Sequence, residues 1–167
     1  MVRLTHDDVW DAIRSVNFMV IGMVSARGEA RTAGVMHHVH DGRLWFTTND
    51  REWKARHIAG DPVVSVTVPI AKRVPFVPWV KVPAATITFS GVAETIPAAD
   101  LPPDVGHALL HGIEVTDGEE RGALVGIGVR PTGDFVTYGV GVSLRAMRDT
   151  EEARGRVASR PTERVPA

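Results

Sequence analysis

The stretch G-E-A-R-T-A-G-V-M-H-H-V-H-D-G-R-L-W-F-T-T, residues 28–48, decides the fold. Two β-rich runs, 30–40 and 43–48, flank Asp41-Gly42. An Asp-Gly pair tolerates the positive φ angles of a tight hairpin turn, so the two runs read as antiparallel neighbours. Upstream, F-M-V-I-G-M-V (18–24) is a continuous β-rich run that ends in the turn residues 25–28. Three strands joined by tight turns make a meander.

The remaining elements follow outward from this meander. Thr5, with Asp8 three residues on, reads as a capping box in which Asp replaces the usual Glu or Gln. Val9, Ala12, Ile13 and Val16 follow at helical spacing, so a short amphipathic helix is predicted over 6–15. Downstream, R-E-W-K-A-R-H-I-A (51–59) is a helical patch that Gly60 and Pro62 stop. V-V-S-V-T-V (63–68) reads as a central strand, and the alternation of Ile87 and Phe89 with Thr86, Thr88 and Ser90 predicts a half-buried one. A loop is expected over 69–83, which carries four prolines. Pro103 suits the first turn of a helix running to Leu110. Two further strands, 123–130 and 134–142, are expected on either side of Pro131-Thr132-Gly133. The expectation is a mainly β protein, a barrel of six to seven antiparallel strands with short helices. Its domain covers 1–149, and residues 150–167, charged and without apolar period, form a mobile and dispensable tail.

Composition narrows the function classes. A net charge of −1 argues against a nucleic-acid binder, and the absence of cysteine removes disulfides, thiolate metal sites and cysteine nucleophiles. The amino end has no signal-peptide core, and the longest unbroken apolar run, 18–24, is far below the roughly 20 residues of a membrane helix. A cytoplasmic protein without stable membrane insertion is expected.

The segment T-T-N-D-R-E-W-K-A-R-H-I (47–58) carries the chemistry. Two hydroxyls end a strand, and Lys54 opens a helix whose first N–H groups and dipole favour an anion. A phosphorylated cofactor suits this arrangement; a solvent-facing Thr pair with a surface Lys is the plainer account of the pattern.

Residues 28–68 together resemble the pyridoxamine 5′-phosphate oxidase-like, FMN-binding split-barrel superfamily. The match is carried by R-T-A-G-V (31–35), the Asp41-Gly42 turn, L-W-F-T-T, the Lys54 helix and D-P-V-V-S-V-T-V (61–68). The order of elements extends it over roughly 5–142. The resemblance implies a split β-barrel, a homodimer with cofactor sites at its interface, and a flavin (FMN)-dependent oxidoreductase acting on a small-molecule substrate or electron acceptor. It implies cofactor contacts at Arg31, Thr32, Ala33, Thr47, Thr48 and Lys54. Trp53 stands where the oxidases proper have an arginine, which leaves Arg51 or Arg56 to substitute. No match is evident for the carboxyl-terminal Trp and Arg that hold pyridoxal substrates. The chain looks more like an actinobacterial branch in which some members use FMN and others the deazaflavin coenzyme F-420. A non-catalytic carrier of a cofactor or haem-type ligand is the alternative from another class. No catalytic acid stands out.

His37, in phase with Arg31, Ala33 and Val35, is expected to line the pocket, and Phe76 and Trp79 of the Pro-rich loop to cover it. His38 and His40 share a strand face and His107 and His111 a helical turn, but no further ligand presents itself, so no metal is expected. G-I-G and G-V-G (126–128 and 139–141) lack a dinucleotide setting and read as close-packing positions.

Overall fold

The computed structural model describes residues 2–72, 82–110 and 122–159. In chain order the elements are α1 (His6–Arg14), β1 (Phe18–Val24), β2 (Ala30–Met36), β3 (His38–His40), β4 (Arg43–Asn49), α2 (Trp53–Gly60), β5 (Val63–Ile70), β6 (Ala85–Pro97), α3 (Pro103–Leu110), β7 (Leu124–Tyr138), α4 (Thr150–Ala153) and β8 (Arg154–Ala158). Thr5 and Asp8 form the expected box: Asp8 N–H donates to Thr5 Oγ1 at 3.1 Å and Thr5 N–H to Asp8 Oδ2 at 2.8 Å. No helix among the described residues is long and apolar enough to cross a membrane.

The strands pair antiparallel in the order β2-β1-β5-β6-β7-β4-β3, and β8 joins β7. The first and last strands of this path are neighbours in the chain, separated only by His37. A flat sheet of seven strands would hold its edges about 29 Å apart. One linking residue covers roughly 7 Å between the flanking Cα atoms. The sheet must therefore curl until its edges meet, which makes the expected split barrel. The expected strand over 30–40 is in fact two, because the chain leaves one edge and joins the other at His37.

The core fills the curl. Met19, Ile21 and Met23 of β1, Leu44 and Phe46 of β4, and Val64, Val66 and Val68 of β5 point inward and are buried. From α1, Val9, Trp10 and Ile13 join them, with Trp10 edge-on to Phe135 at 5.6 Å. A second cluster lies on the outer face of β4, where Trp45 packs with Ala98, Leu101 and Val105. Gly126 and Gly128 make room for it: a Cβ at Gly128 would stand 2.7 Å from the Trp45 ring, and one at Gly126 2.4 Å from Leu101. Close packing is thus the role of this G-x-G.

Two further expectations are corrected. Pro131-Thr132-Gly133 does not reverse the chain but lies within one long strand, β7. The register of β6 against β7 slips there, with Thr88 opposite Val136 and Ser90 opposite Thr132. Pro131 has no N–H to give the ladder, and Gly133, at φ +77, bends the strand without turning it. Below the slip β7 pairs with β4, and above it with β8. Residues 150–158 are likewise not a tail. Asp149 caps the four-residue α4, and β8 pairs with β7 from Asp134 to Tyr138, turning Gly155 and Val157 inward. Residues 160–167 lie outside the described ones.

His37 sits at the seam with 3% of its surface exposed. Its backbone N–H donates to the Asn17 carbonyl at 2.7 Å, while its buried ring nitrogens make no hydrogen bond of good geometry, although the Ile13 backbone carbonyl approaches the ring. Burial holds its pKa below the ordinary histidine value; the Ile13 backbone carbonyl opposes the shift and His38 adds to it.

Two outcomes follow from this architecture. Truncation after Thr150 removes the β8 ladder and buried Ala153, and should lower Tm by several degrees in calorimetry; an unchanged Tm would restore the dispensable tail. For His37 the sign is set by linkage. The unfolded chain takes up its proton near pH 6.5, while the folded chain resists it, so this residue costs stability as pH falls below that value. His37→Phe also relieves unsatisfied nitrogens worth about 1–3 kcal/mol. The variant should melt above the parent at pH 7.5, and the gap should widen at pH 5.5.

Candidate functional site

The strand end, turn and helix of residues 47–58 keep their groups close but divide them between faces. Successive residues of a strand point to opposite sides. Thr48 follows Leu44 and Phe46 into the barrel and is buried, whereas Thr47 shares the outer face with Trp45 and is half-buried. The turn that follows is fixed by its own polar groups. Asn49 Oδ1 accepts the Arg51 N–H at 2.9 Å, and Asp50 both donates its N–H to the Ala123 carbonyl and accepts the Ala123 N–H at 3.0 Å. The start of β7 thereby clamps the approach to α2.

Helix α2 begins without a side-chain cap. Glu52 holds the capping position in extended conformation, yet its carboxylate makes no bond to the first turn. The N–H groups there have no partners within the helix, and their dipole is positive. The half-buried Lys54 adds a cation, with the Glu52 carboxylate 3.6 Å from its Nζ. Trp53 lies partly exposed, edge-on to His57 at 5.7 Å. Strand end and helix start together favour a bound anion, against which Glu52 competes.

Arg31, Thr32 and Ala33 lie on β2. Arg31 is held by Glu29 at 2.8 Å, Ala33 packs toward the core, and Thr32 faces out opposite Gly22. A cleft of about 320 Å³ is lined by Arg31, Thr32, Gly22, Ser65 and Ser90 among others, and by none of Thr47, Thr48, Trp53 or Lys54. The two groups approach through α2, which packs on β1 and shares a small cleft with the turn between β1 and β2 (Ser25 and Ala26 against Arg56 and His57). They belong to one end of the barrel but not to one cleft.

At the seam, His37 lines two larger clefts. One, of about 490 Å³, lies against the end of α1; the other, of about 390 Å³, lies beneath α3. His38 and His40 turn to Asp104 of α3, at 3.5 and 2.8 Å, and so fasten that helix to β3. For Asp104, burial raises the pKa, but the His40 hydrogen bond and charge outweigh it and leave the carboxyl below its ordinary value. Phe76 and Trp79 lie outside the described residues. Sequence reasoning missed Arg14, Asn17 and Asp104, which belong to no pattern; each matters only because the curl brings α1, α3 and the seam together.

Comparison with known proteins bears on this geometry. The family model for pyridoxamine 5′-phosphate oxidase matches residues 5–126. No curated protein matches the chain. Among solved structures, the haem-binding protein from Mycobacterium smegmatis superposes with a TM-score of 0.64 at 15% identity, over 95% of this chain and 60% of that one. An F-420 reductase gives 0.53 at 18% identity, over 81% of this chain and 98% of its own. An FAD-binding protein from Mesorhizobium loti gives 0.54 at 14%, over 77% and 91%. Identities this low speak for the shared fold alone. The family match spans the strands β1 to β6 and the Lys54 helix, and by it the chain belongs to the pyridoxamine 5′-phosphate oxidase family.

Proposed function

We propose that the protein is a flavin-dependent oxidoreductase that holds FMN with the start of α2. The observation that carries this reading is the uncapped first turn of α2 with Lys54 on it, directly after the Thr47-Thr48 strand end, in a chain of this family. A phosphate there would take the free N–H groups and displace Glu52 from Lys54. Thr47, on the outer face, would meet the polar chain of the cofactor. Thr48 points inward and acts through its backbone or by shaping the strand. Arg31 reaches the same end of the barrel from β2, and Trp53 presents a partly exposed ring. When bound, the flavin supplies transfer of a hydride or an electron pair, while the protein contributes grip, orientation and exclusion of water.

The deazaflavin coenzyme F-420 is the second reading, favoured by the fold shared with an F-420 reductase. Its phosphate makes the same demand on α2, so titration separates the two. A carrier of haem-type ligand without turnover would show neither.

A homodimer fits the outer face of β1, β2 and β5. Phe18 (42% exposed), Met36 (54%) and Val63 (58%) stand there without cover, and Phe18 lies directly opposite Met36. Isolated exposed apolar residues are ordinary, whereas several on one sheet face mark a contact surface.

Lys54→Ala should weaken FMN binding on the order of ten- to a hundredfold, the worth of a charged hydrogen bond. Lys54→Arg should recover part of it, and Glu52→Gln should bind more tightly than the parent. Unchanged affinity for FMN and for the deazaflavin in Lys54→Ala would remove the reading; a loss for one alone identifies the cofactor. Light scattering of the parent should give twice the 18.1 kDa chain mass. Paired Phe18→Asp and Met36→Asp substitutions should return it to one; a parent already at the single mass refutes the dimer.

A further inference from the structure

The outer face of β3 carries two imidazoles, and α3 meets both with one carboxylate. His38 lies opposite Trp45 and His40 opposite Arg43, so the two histidines share the face on which Val105 of α3 packs against Trp45. Asp104 Oδ2 lies 2.8 Å from His40 Nδ1 and 3.5 Å from His38 Nε2. Apart from this contact α3 is thinly held. It is eight residues long, too short to be stable alone, and Val105 is the residue it buries fully. Ala108 and Leu109, toward its far end, roof a cleft of about 390 Å³ whose walls include Asn17, Met36 and His38. Leu101, just ahead of the helix, is anchored in the gap left by Gly126. We propose that α3 is a cover over this cleft, pivoting at Leu101-Pro102, which the two histidines latch shut on Asp104 and which loosens as pH rises through the histidine range.

The sign follows from the groups. A neutral imidazole can give Asp104 one hydrogen bond, whereas a protonated one adds a charge to it. Burial raises the Asp104 pKa, but the His40 hydrogen bond and charge outweigh it and leave the carboxyl below its ordinary value. The carboxylate therefore stays ionised while a histidine gains its proton, near pH 6.5 in an ordinary setting. Acid closes the cover and base frees it, until the pH is low enough to discharge Asp104 itself.

Neighbouring charges leave that sign intact. Asp41, in the turn beside His40, and Arg43, paired with Glu94, belong to the barrel and act on the histidines whether α3 is docked or not. The same holds for Arg14, which lines the adjoining cleft with His38 and is paired with Asp11. His37 is kept neutral by its burial. What α3 itself brings is Asp104 and, one turn on, His107. Two half-exposed ion pairs change an opening equilibrium roughly two- to thirtyfold. The direction also separates the latch from His37, whose resistance to protonation weakens the whole fold as pH falls.

The test is amide hydrogen exchange, followed by NMR on the full-length protein at pH 5.5 and 8.0, with each rate divided by that of an unfolded chain at the same pH. Gly106, whose N–H donates to the Pro102 carbonyl, and Leu109 report on α3; Ile21, buried in β1, reports on the barrel. Protection of α3 should be at least twofold greater at pH 5.5, with that of Ile21 unchanged or lower. Asp104→Asn should bring α3 at pH 5.5 down to its pH 8.0 level. His40→Gln should remove most of the pH dependence, and His107→Gln should keep it. Four results overturn the proposal: equal α3 protection at the two pH values, an undiminished pH dependence in Asp104→Asn, a gain at Ile21 as large as that in α3, or a pH dependence lost in His107→Gln but kept in His40→Gln.

Discussion

The single-residue link between β2 and β3 is the constraint on which the rest of the structure depends. It forbids a flat sheet, since its two edge strands are tethered within two residues of each other. Once the sheet curls, its inner face becomes the core and α1 must bury Val9, Trp10 and Ile13 in it. The link also decides what becomes of His37. The residue cannot take part in either ladder with its side chain in solvent; it is carried inward where the two edges meet. Its unpartnered nitrogens are a consequence of topology, kept at a cost the rest of the core offsets.

The outer face of the barrel shows the same economy of position. Gly126 and Gly128 admit Leu101 and Trp45 against the backbone of β7, and this second core holds the segment leading into α3 against β4. The other end of β4 runs into the turn of residues 49–51, which Asp50 ties to Ala123. The start of α2 is therefore positioned by β7, a strand far away in sequence. Lys54 owes its place to the tie between Asp50 and Ala123, 73 residues apart in the chain, which is why a local motif alone is a weak guide to it.

Most of the fold was legible because its signals are local. The Asp41-Gly42 turn, the capping box at Thr5 and the alternation of β6 each rest on neighbours within a few residues. The errors fell where long-range pairing overrides local preference. Pro131-Thr132-Gly133 has the residues of a turn, but Ser90 and Gly91 of β6 pair with Thr132 and Pro131 and hold the chain straight enough to continue. R-G-R-V-A (154–158) reads as solvated because only Gly155 and Val157 face inward, and its strand character comes from the free edge of β7. The period of a strand already implied that Thr47 and Thr48 cannot present side chains to the same ligand. The seam clefts were not legible, since they are assembled from α1, α3 and the break between two strands.

The position of β7 in the sheet has a consequence for synthesis on the ribosome. Until residues 124–138 emerge, the sheet is two pieces, β2-β1-β5-β6 and β3-β4, with no strand ladder between them and His37 as the link in the chain. The β6 edge and one edge of β4 are then bare, with Ile87, Phe89, Leu44 and Phe46 beside them. Open strand edges flanked by apolar side chains invite pairing with other chains. The nascent protein thus passes through its most adhesive state late, when nearly three quarters of the chain is made. Any factor that shields nascent chains has its strongest claim on this one just before its seventh strand arrives.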